Sequence, residues 1–374
     1  MKVRAAVLRE MGLPAPYAQS QPLRIETVEL APPGPGELLV RITAAGLCHS
    51  DLSVIEGNRP RPMPMVLGHE ATGVVEGLGE HVHDFAVGDH VVFSFVPSCG
   101  HCAPCAEGRA ALCEPGAKAN GNGTLLTGGM RWSVNGTQPH HHLGVSGFAE
   151  ATVVSARSAV KIDRDLKPEI AALFGCAVMT GMGAVVNTAA VRPGQSVAVF
   201  GLGGVGLSAV LGAVAAGAYP IVAIDRVPEK LALAKALGAT HTVLADDNTV
   251  AAVRDATQGG AQVTVETVGH EAVLVQAYQA TRRGGLTVTA GLPHPSKQFS
   301  IPAVSLVAEE RTVKGSYMGS AVPQRDIPRY IALHRAGRLP VEKLLTHTLK
   351  LDEINAGFDR LARGEAVRQV VLFS

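Results

Sequence analysis

The stretch Val197-Ala198-Val199-Phe200-Gly201-Leu202-Gly203-Gly204-Val205-Gly206 decides the fold, because an apolar run ends there in a series of glycines. The run Val197 to Phe200 is typical of a strand that is buried on both faces of a sheet. The segment Leu207 to Ala216 has the small-residue composition of a helix packed against that sheet. The stretch therefore predicts a strand, a tight turn and a helix.

Three of these glycines, Gly201, Gly203 and Gly206, fit the G-x-G-x-x-G spacing of a dinucleotide-binding loop. The first permits a tight turn, the second lets the backbone approach a pyrophosphate, and the third allows the helix to pack closely on the strand. A second apolar run ends at Asp225, near the offset of roughly twenty residues at which a carboxylate meets the ribose hydroxyls. Because that carboxylate repels a 2′-phosphate, NAD is predicted, although Arg226 leaves NADP open.

The length and composition limit the possible classes of protein. With 374 residues the chain exceeds the usual size of one core, so two domains are expected. A net charge of +1 and an aromatic content of 4% argue against a nucleic-acid partner. No apolar run approaches the roughly twenty residues that span a bilayer, and no signal sequence is evident. We expect a cytoplasmic protein without a membrane partner.

Four of the six cysteines, Cys99, Cys102, Cys105 and Cys113, are close together in the sequence. Four thiolates at this spacing can surround one zinc ion and leave no position open for a substrate, so the predicted zinc is structural. An iron–sulfur cluster is the chemical competitor, but the bacterial pattern has a shorter spacing before its fourth cysteine. His101 lies inside this segment and is expected to be solvated.

The first part of the chain has short valine-rich runs broken by proline and glycine, which is typical of an antiparallel β-rich domain. Residues 37–42 and 71–76 are predicted strands. Residues 118–142 lack periodicity and are predicted to form a long surface loop. The histidines at its end, His140-His141-His142, are expected to line a cleft or an interface, since adjacent histidines do not easily face one metal ion.

From Pro168 the pattern changes to alternating helices and strands, which predicts a doubly wound parallel sheet. The first helix is expected over residues 169–186. Further helices are predicted at 229–237, 250–258, 271–281, 327–336 and 352–362, and strands at 242–244, 263–266, 286–289 and 368–372. The last strand is expected to pair with the β-rich domain. The predicted domains are therefore 1–178 with 320–374, and 179–319.

Cys48, His69 and Cys176 remain as possible metal ligands outside the four-cysteine cluster. Three protein ligands with an open fourth position are characteristic of a catalytic zinc, and two cysteines with one histidine are a known version. Taken singly, Cys48 or Cys176 would more often be an inert buried residue. Together with the nucleotide motif, the three residues predict an active site.

With these residues the sequence resembles the medium-chain zinc-dependent alcohol dehydrogenases in their longer, liver-type form, over essentially the whole chain. The resemblance is carried by Gly46-Leu47-Cys48-His49-Ser50-Asp51, Gly68-His69-Glu70, the four-cysteine cluster, Gly175-Cys176 and the glycine loop with Asp225. It implies a GroES-like catalytic domain, a Rossmann nucleotide domain, two zinc ions per chain and a homodimer. The implied reaction is hydride transfer from a primary or secondary alcohol, aromatic alcohols included, to NAD.

The resemblance also implies roles for individual residues. The catalytic zinc would be bound by Cys48, His69 and Cys176, with Glu70 and Asp51 beside it, and Asp51 would orient the imidazole of His69. The catalytic residues would be Ser50, which takes the alcohol proton, and His49. Cofactor contacts would come from His49, Thr180, Gly201, Gly203, Gly204, Val205, Gly206, Asp225, Lys230, Val268 and Arg368. The substrate pocket would be lined by Ser50, Phe95 and Leu143.

The chain departs from the pattern of this family at three positions. His49 stands where the liver-type enzymes usually carry an arginine on the pyrophosphate, and Ser53 stands where many carry the histidine that ends the proton relay. Ala117 replaces the arginine of the glutathione-adduct dehydrogenases, which disfavours that substrate. The segment Arg311 to Tyr317 is predicted to be the edge strand that joins two subunits.

A second hypothesis keeps the fold without the activity: a zinc- and nucleotide-binding sensor or regulatory protein. The joint presence of three metal ligands, Ser50 and the complete glycine loop disfavours it.

Overall fold

The computed structural model describes residues 1–373, which form two compact units. Unit 1 comprises Met1–Cys176, Val322–Pro328 and the chain from Leu345 on, and unit 2 comprises Ala177–Ala321 and Arg329–Leu344. The sequence placed residues 329–344 in the first domain, whereas the structure places them in unit 2. The reason is that the division falls inside one helix, after Pro328, where the sequence pattern has no break.

The strands are β1 Lys2–Leu8, β2 Leu23–Leu30, β3 Glu37–Leu47, β4 Met65–Val66, β5 Glu70–Leu78, β6 His90–Phe93, β7 Trp132–Ser133, β8 His140–His141, β9 Ala151–Ser155, β10 Ala159–Ile162, β11 Val197–Phe200, β12 Ile221–Asp225, β13 His241–Leu244, β14 Ala261–Glu266, β15 Thr281–Thr289, β16 Thr312–Gly315, β17 Leu345–Leu349 and β18 Arg368–Leu372. The helices are α1 Tyr17–Ser20, α2 His49–Ile55, α3 Ala103–Ala106, α4 Glu114–Asn122, α5 Pro168–Ala171, α6 Ala177–Gly183, α7 Gly204–Ala215, α8 Pro228–Ala236, α9 Thr249–Ala256, α10 Glu271–Ala280, α11 Ala303–Ala308, α12 Pro323–Arg335 and α13 Ile354–Ala362.

Unit 1 is built on two sheets in which most strand pairs are antiparallel. One has the order β7-β2-β1-β4-β8, and the other has the order β10-β6-β5-β3-β18-β17, with β9 also paired to β3. The predicted final strand is confirmed as β18, which pairs antiparallel with β3. This pairing brings the end of the chain beside the strand that leads to Cys48.

Unit 2 contains one sheet of parallel strands in the order β13-β12-β11-β14-β15-β16. Strand β11 lies inside it between β12 and β14, and all four of its residues are buried. This position explains the continuous apolar run, because both faces of a parallel sheet are covered. The doubly wound fold predicted from the sequence is confirmed, and β16 forms one edge of the sheet.

The long helix expected over residues 169–186 is broken. Helix α5 and a 3₁₀ turn, Ala172–Gly175, end at Cys176, whose φ of −139° and ψ of −78° are not helical, and α6 begins at the next residue. A π-helical turn, Ala184–Thr188, then follows α6. The apolar composition of the segment concealed this break, which sets Cys176 apart from the regular helix.

The surface loop expected over residues 118–142 is only partly irregular. Its first residues belong to α4, which begins after Cys113 and ends at Gly123, a glycine with φ of 68°. Its last residues include β8, which pairs parallel with β4. Polar composition predicted a loop here, but the cysteine cap and the short strand pairing are tertiary features.

Among the described residues, no single helix has the length and apolar character needed to cross a bilayer. The segments Pro168–Gly175 and Ala177–Thr188 reach that length and hydropathy only as a pair, and they are bent by 48°.

Candidate active site and metal centres

Two thiols and one imidazole converge in unit 1. Cys48 lies at the start of α2 directly after β3, His69 precedes β5, and Cys176 occupies the break before α6. Their ligand atoms all lie within 4.8 Å of one another, and Cys176 Sγ is 3.4 Å from His69 Nε2. The exposed fractions of the three residues are 8%, 1% and 5%. Three distant parts of the sequence therefore form one buried S₂N donor set.

The electrostatics of this set favour an ionised thiol. The hydrogen bond from Cys176 and the charge of His69 hold the pKa of Cys48 well below its usual range, while burial opposes the shift. The same hydrogen bond and burial raise the pKa of the Cys176 thiol. Burial disfavours protonation of His69, but Asp51 and Cys48 outweigh it and raise the pKa of the imidazole. Soft thiolates beside an imidazole are the donors that zinc prefers.

The carboxylate of Asp51 supports His69 from the side opposite to the thiols. Asp51 Oδ1 lies 3.1 Å from His69 Nδ1 and accepts a hydrogen bond of 3.2 Å from the backbone of Gly68. Burial raises the pKa of this carboxyl, but His69 and His142 outweigh burial and leave the pKa well below its usual value. Asp51 is therefore a fixed negative charge that orients the His69 ring, as the sequence predicted.

Glu70 and Arg368 form a buried ion pair beside Cys48. Both side chains are almost fully buried, and Arg368 Nη2 donates to Glu70 Oε1. Burial raises the pKa of Glu70 to about 7, although Arg368 opposes the shift. A Cβ added at Gly46 would lie 2.2 Å from Glu70 Oε1, so this glycine makes room for the pair. The sequence predicts that Arg368 contacts the cofactor. Within unit 1, the hydrogen-bond and ion-pair partner of Arg368 is Glu70.

The second cysteine group consists of Cys99, Cys102, Cys105 and Cys113, whose sulfur atoms lie within 4.8 Å of one another. Backbone N–H groups of Cys99 and Gly116 donate to Cys113 Sγ at 3.2 and 3.4 Å. Such N–H···S contacts stabilise negative charge on sulfur. His101 is exposed and its ring contacts the carbonyl oxygen of Cys99, so it stands apart from the sulfur atoms, as expected.

The glycine loop of unit 2 joins β11 to α7. Gly201 has φ of 88°, which only glycine adopts easily, and Gly203 precedes the first turn of α7. A Cβ added at Gly206 would lie 1.8 Å from the carbonyl oxygen of Gly201. The helix therefore packs as closely on the turn as the motif requires, and its free N–H groups are suited to a pyrophosphate.

Asp225 ends β12, the parallel neighbour of β11. Its carboxylate accepts hydrogen bonds from the backbone of Leu202 at 2.6 Å and of Val227 at 3.0 Å. The carboxylate is therefore fixed at the end of the sheet beside the glycine loop. This is the position of the ribose-binding acid in dinucleotide sites.

Three further predicted cofactor residues also lie in unit 2. Val268 is exposed by 52%, and its Cγ2 would lie 2.5 Å from a Cβ added at Gly201. Thr180 lies in α6, next to Gly181, which packs directly against Val205 of α7. Lys230 lies in the first turn of α8, which follows Asp225.

The remaining predicted residues lie in unit 1. His49, which is exposed, and Ser50, which is half-buried, begin α2 next to Cys48. The ring of Phe95 meets the His69 ring edge to face at 5.3 Å, so it lines the metal site. Leu143 has φ of 51° and is buried.

Two of the three consecutive histidines are buried, which contradicts the expectation that they line a cleft or an interface. The indole N–H of Trp132 points to His141 Nδ1 at 3.3 Å. The backbone N–H of Arg131 points to His141 Nε2 at 3.2 Å. His142 Nδ1 is 3.1 Å from Asp51 Oδ1. Sequence analysis missed His142, because nothing in the pattern links it to Asp51.

Two family models match the chain: "Alcohol dehydrogenase GroES-like domain" over residues 34–164 and "Zinc-binding dehydrogenase" over residues 204–335. The fold and the donor sets thus define a zinc-binding dehydrogenase. The chain belongs to the medium-chain zinc-dependent alcohol dehydrogenase family, whose members oxidise alcohols as class EC 1.1.1 enzymes.

Full-length relatives support this membership. The chain is 40% identical to the NDMA-dependent alcohol dehydrogenase of Amycolatopsis methanolica over 384 aligned residues, with 100% of both chains covered. It is 38% identical to the S-(hydroxymethyl)glutathione dehydrogenase of Escherichia coli, again with 100% of both covered. The crystal structure of benzyl alcohol dehydrogenase from Acinetobacter calcoaceticus is 32% identical, covers 100% of both chains and has a TM-score of 0.93.

Proposed function

We propose that this protein oxidises a primary or secondary alcohol, aromatic alcohols included, to the aldehyde or ketone with NAD as hydride acceptor. The observation that carries the proposal is the buried donor set of Cys48, His69 and Cys176, in a chain that also has the glycine loop and Asp225. A sensor that lacked turnover would not need an open ligand position. The three side chains leave one position of a tetrahedral ion for the substrate oxygen.

The residues of the donor set fit zinc by chemistry and by burial. A zinc ion held there supplies a Lewis acid that favours loss of the hydroxyl proton near neutral pH. Asp51 holds the imidazole of His69 in one orientation, and the buried pair of Glu70 and Arg368 compensates charge beside Cys48. Ser50, two residues after Cys48, is the proposed first acceptor of the alcohol proton.

We propose a second, structural zinc at the four-cysteine group. Four sulfur atoms within one coordination sphere leave no place for a substrate. The role of this zinc is to close the segment from Cys99 to Cys113, which contains only short helical turns. Its binding energy would contribute to folding.

NAD is the proposed cofactor because Asp225 presents a fixed carboxylate where a 2′-phosphate would have to lie. The positive end of α7 would receive the pyrophosphate through the backbone after Gly203. Lys230, Thr180, Val268, His49 and Arg368 remain the further proposed cofactor contacts.

We also propose a homodimer formed through β16. This strand lies at the edge of the sheet in unit 2, and no other described strand pairs with its outer side. Val304 and Val307 of the preceding helix α11 are exposed by 71% and 82%. An unpaired edge beside exposed apolar side chains is suited to a two-fold related copy. A cytoplasmic location is consistent with six cysteines that are all unpaired.

Initial-rate measurements with NAD and with NADP test the proposal. The panel comprises ethanol, a secondary alcohol, benzyl alcohol and S-(hydroxymethyl)glutathione, each followed by reduced-cofactor absorbance, together with the zinc content. We expect turnover with NAD and a benzylic or aliphatic alcohol, and two zinc ions per chain. One zinc per chain and no reduction of either cofactor by any alcohol would favour the sensor.

A further inference from the structure

The carboxylate of Asp51 lies between two imidazoles. Oδ1 is 3.1 Å from His69 Nδ1 and 3.1 Å from His142 Nδ1, and it also accepts the backbone N–H of Gly68. All three side chains are at most 2% exposed. The two rings meet edge to face, with centroids 5.5 Å apart and planes at 89°. The family role of this carboxylate needs only His69, so the second imidazole requires its own explanation.

The fold fixes His142 to the same segment that delivers His69. Strand β8, which ends one residue before His142, pairs with β4, which ends shortly before Gly68. Ser146 Oγ accepts the backbone N–H of His142 at 3.0 Å and donates to the carbonyl oxygen of Val66 at 2.9 Å. These bonds fix the segment that carries His142 to the segment that carries His69, and Asp51 lies between the two imidazoles.

The arrangement has a physical consequence for the metal ligand. Asp51 Oδ1 is held by the backbone N–H of Gly68 and by the imidazole of His69, and a second imidazole on the same oxygen further restricts rotation of the carboxylate. Asp51 Oδ2 is buried and has no hydrogen-bond partner among the described residues, so it does not provide this restraint. His142 Nδ1 is buried and has no well-aligned hydrogen-bond partner among the described residues, and Asp51 Oδ1 lies 3.1 Å from it, within hydrogen-bonding distance.

We propose that His142 is a positioning residue of the three-ligand metal site: it donates its Nδ1–H to Asp51 and so fixes the carboxylate that orients His69. The inference rests on the catalytic zinc of the proposed function. His142 is not assigned as a ligand, because the Gly68 N–H already points at the oxygen that a cation would have to share. Loss of an outer partner of a ligating histidine typically lowers metal affinity by about 10–100-fold.

The test compares three variants of the zinc-loaded protein. His142→Phe retains a ring of similar size without a donor. His142→Asn places an amide nitrogen near the position of Nδ1. His142→Phe is also made in an Asp51→Ala background, which lacks the acceptor oxygen. The measurement is the rate at which each protein releases its zinc ions to a chromogenic chelator, with Cys176→Ser identifying the release phase of the three-ligand site.

We expect His142→Phe to release the zinc of the three-ligand site about 10–100-fold faster, and His142→Asn to release it within about threefold of the wild-type rate. The release phase of the four-cysteine site should not change. In the Asp51→Ala background, the further change to His142→Phe should have little effect, because no side-chain acceptor then links His142 to His69.

Equal release from His142→Phe and wild type would overturn the inference, and so would an undiminished effect in the Asp51→Ala background. Equally fast zinc release from the Phe and Asn variants would also overturn it, because a donor at the position of Nδ1 would then not restore the metal site. If His142→Phe does not fold, His142→Gln replaces it, because its longer amide reaches the position of Nε2 and not that of Nδ1. A wild-type protein without a Cys176-dependent zinc would instead refute the proposed function itself.

Discussion

Ser53 Oγ donates a hydrogen bond of 2.8 Å to the carbonyl oxygen of His49, one turn earlier in α2. The hydroxyl is therefore engaged by its own helix, as is common for serine in helices. A hydroxyl cannot serve as a base near neutral pH in the way that an imidazole can. We therefore expect no proton transfer through Ser53, and we expect the proton to leave by water or through His49.

We predict that Ser50→Ala lowers kcat by roughly 10²–10⁴-fold, the range typical of losing a positioned proton-transfer group. Ser53→Ala should change kcat by less than about twofold, because only a bond within the helix is lost. Steady-state turnover at saturating alcohol and NAD measures both. Equal losses in the two variants would show that Ser53 is a working member of the relay.

The two proposed zinc ions should respond to different cysteines. Cys176→Ser should remove one zinc and the activity while the melting temperature stays near that of the wild type, because the hydrophobic core of unit 1 already packs the elements that carry the ligands. Cys105→Ser should lower the melting temperature by several degrees, since the binding energy of that zinc contributes to folding. Metal analysis and thermal unfolding are the measurements. Two zinc ions in both variants would contradict the assignment.

Two glycines of the loop should have different roles, Gly203 in cofactor binding and Gly206 in the packing of the helix on the turn. A Cβ added at Gly203 meets nothing within 4 Å, so Gly203→Ala should fold with nearly unchanged stability but bind NAD more weakly, because the methyl group lies where the pyrophosphate approaches. Gly206→Ala should lower stability by more than about 2 kcal/mol, because its Cβ would lie 1.8 Å from the carbonyl oxygen of Gly201. Thermal unfolding and NAD titration by fluorescence test this pair. The reverse order of stabilities would refute the packing argument.

Asp225→Asn should weaken the preference for NAD over NADP by about tenfold or more, since it removes the charge that repels a 2′-phosphate at nearly constant shape. The remaining amide oxygen can still accept the N–H of Leu202, so the loop should keep its conformation. The ratio of kcat/KM for the two cofactors is the measurement. As a control, Arg226→Gln should lower kcat/KM for NADP only. An unchanged ratio in Asp225→Asn would place the selectivity elsewhere.

His141 should make the protein less stable in acid. Burial, with Arg131 and His140 nearby, lowers its pKa from 6.5 to about 3, so the folded protein binds this proton less readily than the unfolded chain. Its contribution to stability is complete above about pH 6.5 and is lost as the pH falls, by about 1.4 kcal/mol for each unit. At about pH 5 the loss should reach roughly 2 kcal/mol.

The variant His141→Asn tests this dependence, because its amide oxygen can still accept the indole N–H of Trp132 but does not titrate. Denaturant unfolding at about pH 8 and pH 5 gives the two stabilities. We expect the variant to be less stable than the wild type at the higher pH and to lose about 2 kcal/mol less between the two values. An identical loss in both proteins would show that His141 is protonated in the folded state.

The strand, glycine loop and acidic residue at the centre of the nucleotide unit could be predicted from the sequence. Strand β11, the glycine loop and Asp225 lie within about thirty residues, and each depends on a local rule of backbone freedom, strand burial or charge. Helix α7 and strand β12 were predicted within a few residues for the same reason. The four-cysteine group was also evident, because its ligands are close along the chain.

Residues brought together from distant segments were only partly predictable. Cys48, His69 and Cys176 were identified by type and by resemblance, but their convergence required β3, β5 and the break before α6. The break itself was missed, because an apolar segment has the same composition whether it is one helix or two. The division of α12 between the two units was missed for a related reason: the helix is locally continuous.

The sequence by itself thus determined the class of enzyme and predicted its candidate metal ligands, because these depend on residue types at short or familiar spacings. Only the tertiary structure determined the surroundings of those ligands. It placed His142 beside Asp51 and Arg368 beside Glu70. The physical reason is that a buried charge must be compensated by whatever polar group packing brings within about 3 Å, and that partner can come from any part of the chain.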